Sequence, residues 1–125
     1  ARILVPGGWF SCMWNHRDVE DSLQKEIEKI ITSFIPNYDY GLRRQDPSLV
    51  ITNSGLFSRV ENIEERFLVS MEKMEIVDAW KSHDTLFRQS DGKFNDIINE
   101  ISNILTAEKY LVPYFTRVWF SNCMM

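Results

Sequence analysis

The sequence predicts an α/β fold in which three strands form an open sheet flanked by helices. Three observations point there. Residues 9–14, Trp-Phe-Ser-Cys-Met-Trp, follow a Pro-Gly-Gly turn and stop abruptly in Asn15, His16, Arg17 and Asp18. Two segments, 23–34 and 94–105, repeat apolar residues at helical spacing. Two more, 57–71 and 111–121, alternate in the manner of strands.

Residues 3–18 organise the rest and read as the end of a helix, a turn, one buried strand and a polar loop. Pro6 cannot continue a helix, and Gly7 and Gly8 offer the positive φ that reversal into a strand needs. Residues 9–14 are apolar or small on both parities, the pattern of a strand covered on both faces. In open α/β sheets ligands sit beyond the carboxyl ends of strands, which directs attention to residues 15–18.

Asp18 or Asp21 then caps a helix with Glu20 and Asp21 in its first turn. Its apolar stripe is Leu23, Ile27, Ile30, Ile31 and Phe34, and Pro36 closes it. Asp46 and Pro47 suit a cap and a first helical position, predicting a short helix over 47–53 that Gly55 ends. Residues 57–71 alternate in two registers, as a long strand with a bulge near Glu61 and Asn62 would. Residues 73–90 read as helical, broken near Ser82, His83 and Asp84, with Met74, Val77, Trp80, Leu86 and Phe87 as apolar contacts. Asp91-Gly92 is a turn, after which Phe94, Ile97, Ile98, Ile101, Ile104 and Leu105 mark an amphipathic helix. In the last strand Tyr114, Thr116, Val118 and Phe120 alternate with Phe115, Arg117 and Trp119.

Composition narrows the class. A chain of 125 residues that is 44% hydrophobic and 13% aromatic is long and apolar enough for one folded domain rather than a disordered one. A formal charge of -4 argues against a nucleic-acid partner, because phosphate binding wants a basic face. Cys12 and Cys123 read as free thiols, which points to a cytoplasmic protein. No charged segment leads into an apolar one at the start, and no apolar run approaches the roughly 18 residues of a membrane span. The histidines and cysteines, at 12, 16, 83 and 123, lack metal-ligand spacing.

A family resemblance rests on particular residues. Arg2-Ile3-Leu4, then Pro6-Gly7-Gly8, a strand, and Trp14-Asn15 with Arg17-Asp18 resemble the fifth-strand region of class I S-adenosylmethionine-dependent methyltransferases, of the type 11 kind. Residues 112–119, Val-Pro-Tyr-Phe-Thr-Arg-Val-Trp, resemble the last strand of the same family. The resemblance implies a partial Rossmann-like sheet in which the last strand inserts antiparallel between the other two, in the order 9–15, 111–121, 57–71. It implies that residues 1–125 are the C-terminal portion of a single methyltransferase-like domain, with 73–108 a helical cover over the acceptor site. In the family the cofactor is held by a glycine-rich loop and an acidic residue upstream of this segment. The five glycines here, at 7, 8, 41, 55 and 92, form no G-x-G, and Ala1 opens inside the last turns of the family's preceding helix. S-adenosyl-L-methionine is then the cofactor of the parent protein, with its main binding loops absent from this chain.

The same resemblance puts Asn15, His16, Arg17 and Asp18 at the mouth of the acceptor site. His16 is the residue there able to take a proton near neutral pH, and its plainer reading is an exposed loop histidine beside a helix cap. Arg17 reads as an anion clamp or a structural ion-pair partner, and Asp18 as a catalyst or a cap. Trp14 and Tyr114 line an apolar acceptor pocket or pack in the core. Arg43 and Arg44 meet an anionic substrate group or form a solvated pair. His83 beside Asp84 is no dyad, since sequence neighbours diverge on a helix or strand.

The expected function is the C-terminal part of a methyltransferase acting on a small molecule, carrying the acceptor side and inactive alone. The alternative is a non-enzymatic methyltransferase-like remnant serving as a protein interaction or dimerisation module. A third possibility is an unrelated α+β binding domain that shares the Pro-Gly-Gly strand. The strand at 9–15 has an open edge, which predicts a homodimer or strand-swapped assembly through it.

Overall fold

A computed structural model of the protein describes residues 2–124, the side chain of Arg43 apart. The elements in chain order are β1 (Trp9–Arg17), α1 (Ser22–Phe34), a 3-10 turn (Leu42–Arg44), α2 (Ser48–Asn53), β2 (Glu61–Glu72), α3 (Lys73–Lys81), α4 (Asp84–Gln89), α5 (Phe94–Ile104) and β3 (Lys109–Asn122). The sheet order is β1-β3-β2. Asp18 N donates to Pro113 O and Cys123 N to Gly8 O, so β3 runs against β1. Ser58 N donates to Asn122 O and Lys73 N to Glu108 O, so β3 also runs against β2. β1 and β2 are therefore parallel to each other with β3 antiparallel between them, in the expected order.

Pro113 sits in the central strand, where a missing donor would normally break a ladder. Its partner is Asp18, one residue beyond the end of β1, so the missing N–H falls where pairing stops anyway. On the other side, Ser58 faces Asn122 and Lys73 faces Glu108, so the β2 side is one residue longer than the segment opposite it. That is the content of a bulge, as the change of register predicts. Phe57 makes only an isolated bridge to Cys123, and β2 begins at Glu61.

The chain folds as two compact units through which all three strands run: Ala1–His16, Leu42–Phe67 and Phe115–Met125 form the first, Arg17–Gly41 and Leu68–Tyr114 the second.

The second unit holds the helical core. Ile27 and Ile31 of α1, Ile76, Val77 and Trp80 of α3, Leu86 of α4, Ile97, Ile98 and Ile101 of α5, Leu105 and Val112 form one buried cluster. The stripes of α1 and α5 land as their spacing predicts. Asp21 caps α1 through Gln24 N at 3.3 Å, so Glu20 and Asp21 precede the first turn instead of occupying it. In α3 the buried residues are Ile76, Val77 and Trp80, while Met74 is exposed. With the helix starting at Lys73, positions 76, 77 and 80 share a face that 74 leaves. Phe87 is exposed as well, while Leu86 is fully buried. His83 Nδ1 accepts from Leu86 N at 3.2 Å and caps α4, while Asp84 pairs with Arg88, so the two neighbours serve different partners.

The first unit corrects the reading of residues 9–18. β1 runs to Arg17, so Asn15, His16 and Arg17 belong to the strand and not to a loop, and His16 is buried. The strand is covered on one face only. Phe10, Cys12, Trp14 and His16 are the sheltered parity, whereas Trp9 is 61% and Met13 65% exposed. Apolar composition on both parities does not require two covers, because folded surfaces carry many apolar atoms. On the sheltered side Phe10 meets Phe57 at 5.3 Å and Trp14 meets Trp119 edge-on at 5.8 Å. On the open side Trp9 packs against Phe120 at 5.8 Å.

The entry to β1 differs too. Arg2–Leu4 turn rather than end a helix, and the expectation about Ala1 lies outside the described residues. Of Gly7 and Gly8, Gly7 alone adopts positive φ, at 77°. Gly8 is required by close approach, since a Cβ there would sit 2.9 Å from Val5 O. α2 starts one residue later than predicted, with Pro47 instead of Asp46 as its N-cap, and Asp46 Oδ1 accepts from Ser48 N at 2.8 Å. Neither Cys12 nor Cys123 is in a disulfide. No helix among the described residues is long and apolar enough to cross a membrane.

Urea unfolding tests the core assignment. Ile101→Ala is expected to cost about 2–5 kcal/mol, as truncation of a fully buried isoleucine does. Met74→Ala is expected to stay within about 0.5 kcal/mol.

Candidate functional site

Two parallel strands end in the second unit, β1 at Arg17 and β2 just after Met71, and β3 contributes Val112 and Tyr114 beside them. A depression lies at these carboxyl ends, lined by Arg17, Gln24, Met71, Ile76, Ala79, Val112 and Tyr114. It holds about 170 Å³, including space open to solvent. None of that space is enclosed enough to seat a water molecule, so the depression is shallow and falls well short of the ~300 Å³ at which ligand pockets usually begin.

Arg17 is the charged member. Its guanidinium carbon lies 4.3 Å from the centre of the Trp80 ring, a cation–π contact. Burial pushes the Arg17 pKa down. Tyr114 opposes that shift through charge and a hydrogen bond, and Tyr38 opposes it through charge. Tyr114 Oη also donates to Met71 Sδ at 3.7 Å. A thioether is a weak acceptor, so this proton is loosely held. Trp80 is 5% exposed, its ring also lies 5.0 Å from that of His83, and its indole Nε1 is buried with no hydrogen-bond partner. The Arg17 guanidinium is thus held between the Trp80 ring and the Tyr114 hydroxyl, which accepts from it and donates to Met71 Sδ.

Of the residues singled out by sequence, the structure brings Arg17 and Tyr114 together here. Asp18 belongs to the same unit, where its Oδ1 accepts from Glu20 N at 3.0 Å and shapes the turn into α1. Trp14, Asn15 and His16 belong to the first unit. Trp14 packs on Trp119 and does not line the depression. Asn15 is exposed, and its Oδ1 accepts from Thr116 Oγ1 at 2.6 Å. Arg44 sits half-buried in the 3-10 turn, and the side chain of Arg43 lies outside the described residues.

Sequence reasoning missed Gln24 and Met71 in the lining, and Trp80 and Tyr38 as residues that act on Arg17. Trp80 was hidden in the apolar stripe of α3, and Tyr38 lies in a segment without periodicity. The signal available was a tryptophan with a polar N–H on a face otherwise purely aliphatic. Among the described residues, no group of three or more His, Cys, Asp or Glu could hold a metal ion.

Tyr114→Phe removes the hydroxyl that counters the burial of Arg17 and is expected to lower stability by about 1.5–3 kcal/mol in urea unfolding, the range for a hydrogen bond to a charge. Asn15→Ala, at an exposed neutral bond, is expected to cost about 0.5–1.5 kcal/mol. Compared with known proteins, the sequence matches no protein-family model and no curated protein.

Proposed function

We propose that this chain is the acceptor-side, C-terminal portion of a class I S-adenosylmethionine-dependent methyltransferase acting on a small molecule. One observation supports the reading above the others. Two parallel strands flank an antiparallel last strand, with α3, α4 and α5 between the second and third, as the resemblance implies. The depression at the carboxyl ends of the parallel strands is where open α/β sheets take ligands.

The residues present do not make a cofactor site. The Arg17 guanidinium repels a sulfonium cation, and the lining holds no carboxylate for ribose hydroxyls. Their role in this reading is to hold and orient the acceptor while aromatic and aliphatic walls exclude water.

Calorimetry tests the reading. A longer polypeptide from the same gene, including the residues that precede Ala1, is expected to bind S-adenosylmethionine, and the 125-residue chain is expected to give no heat. Failure of the longer polypeptide to bind the cofactor would refute it.

The second reading, an interaction or dimerisation module, is favoured by the contrast between the two sheet edges. Residues 9–14 of β1 carry no charge and leave Trp9 and Met13 exposed, whereas β2 carries Glu61, Glu64, Glu65 and Arg66. Charged edges resist strand addition and uncharged ones invite it. Sedimentation equilibrium is expected to show a dimer that Met13→Lys dissociates, and a monomer at all concentrations sinks this reading.

A further inference from the structure

We infer that a second copy of this chain pairs antiparallel with the outer side of β1, on a two-fold axis through Cys12, so that one sheet runs through both copies. The inference rests on the dimerisation reading above and deepens it.

Backbone direction decides which residues can pair. Cys123 N donates to Gly8 O and Asp18 N to Pro113 O, so the even-numbered residues of β1 turn their N–H and C=O groups to β3. The bond from Thr116 Oγ1 to Asn15 Oδ1 keeps the same register, so no bulge shifts the parity along the way. Trp9, Ser11, Met13 and Asn15 therefore turn their backbone groups outward, to the edge beside which no described strand lies.

Charge decides what approaches. A chain of formal charge -4 repels its own copy over much of its surface. Residues 9–15 carry no charge, whereas the β2 edge carries Glu61, Glu64 and Glu65. A copy thus meets no like charge at β1 and several at β2. Pairing β1 with β1 across a two-fold axis also closes after two copies, because only charged β2 edges remain.

Self-complementarity sets the register. With the axis at Cys12, Trp9 lies opposite the partner's Asn15, Phe10 opposite the partner's Trp14, and Ser11 opposite the partner's Met13. Every outward N–H and C=O of residues 9–15 is then met, and an aromatic cross-strand pair forms twice. An axis at Met13 would bring Trp9 against the partner's Arg17, and one at Ser11 would run Asn15 past the start of the strand to Gly7. Cys12 opposes its own copy in a pair without backbone bonds, where Cα atoms lie about 4.5 Å apart. That is within the roughly 4.4–6.8 Å a disulfide spans.

The experiment joins sedimentation equilibrium of the 125-residue chain to cross-linking by diamide, a diazene that takes two electrons and two protons as two thiols become a disulfide. Burial pushes the Cys12 thiol up, so the reaction is run at pH 9. A dimer is expected that diamide makes covalent, and Cys12→Ser is expected to abolish the link. Ser11→Lys combined with Met13→Lys sets like charges opposite each other and is expected to weaken the dimer at least about tenfold. Ser11→Lys combined with Met13→Glu sets opposite charges there and is expected to return it to within about threefold of wild type. Both positions are exposed, so the fold tolerates either pair.

A monomer at all concentrations overturns this inference and the dimerisation reading together. A dimer that diamide does not link through Cys12, or that both double variants weaken alike, overturns the pairing and leaves dimerisation through another surface. A monomeric longer polypeptide, including the residues that precede Ala1, would mean that the same domain fills the edge, which overturns a second copy as its occupant.

Discussion

β3 is the strand both others depend on. At 14 residues it is the longest element, and its backbone pairs with β1 on one side and β2 on the other. Without it, β1 and β2 would be two parallel strands with no ladder between them. Its composition fits that role. Val112, Trp119, Ser121 and Cys123, just past its end, are buried, and Ser121 Oγ donates to Ser58 O at 2.9 Å, tying the irregular start of the β2 segment to the centre. Arg117 pairs with Glu64 at 2.7 Å, a partly exposed ion pair whose value is in register more than in energy.

The second constraint is electrostatic. A guanidinium withdrawn from water needs a substitute for its hydration, and here an indole face and a phenol contribute to it. Arginine suits this and lysine does not, because a planar, weakly hydrated cation stacks while an ammonium demands three directed acceptors.

The two sheet edges carry opposite designs. β2 is exposed along most of its length, with glutamates on both parities, and such an edge discourages strand addition. β1 has no charge before Arg17, and its exposed parity shows Trp9 and Met13. An edge of that kind fits a sheet continued by another strand, from the same domain or a second chain.

Much of the fold was legible in the sequence because local rules govern it. The spacing of Ile27 and Ile31, and of Ile97, Ile98 and Ile101, determined which helix faces are buried, since a helix turns every 3.6 residues whatever surrounds it. Turn chemistry determined the stop at Gly55 and the reversal at Asp91-Gly92, where φ is 48° and 81°. Arg17 was legible as a site candidate from its place where a strand ends, and Tyr114 from the family resemblance. What the tertiary structure alone decided were matters of partners. Whether residues 9–14 are covered on one face or two depends on what packs there, and apolar composition is silent about it. The strand continues through His16 and Arg17 because β3 offers backbone partners that far, which no local signal in β1 encodes. Trp80 becomes part of the site only because α3 packs where Arg17 emerges. A contact between residues 63 positions apart in sequence has no local period to announce it.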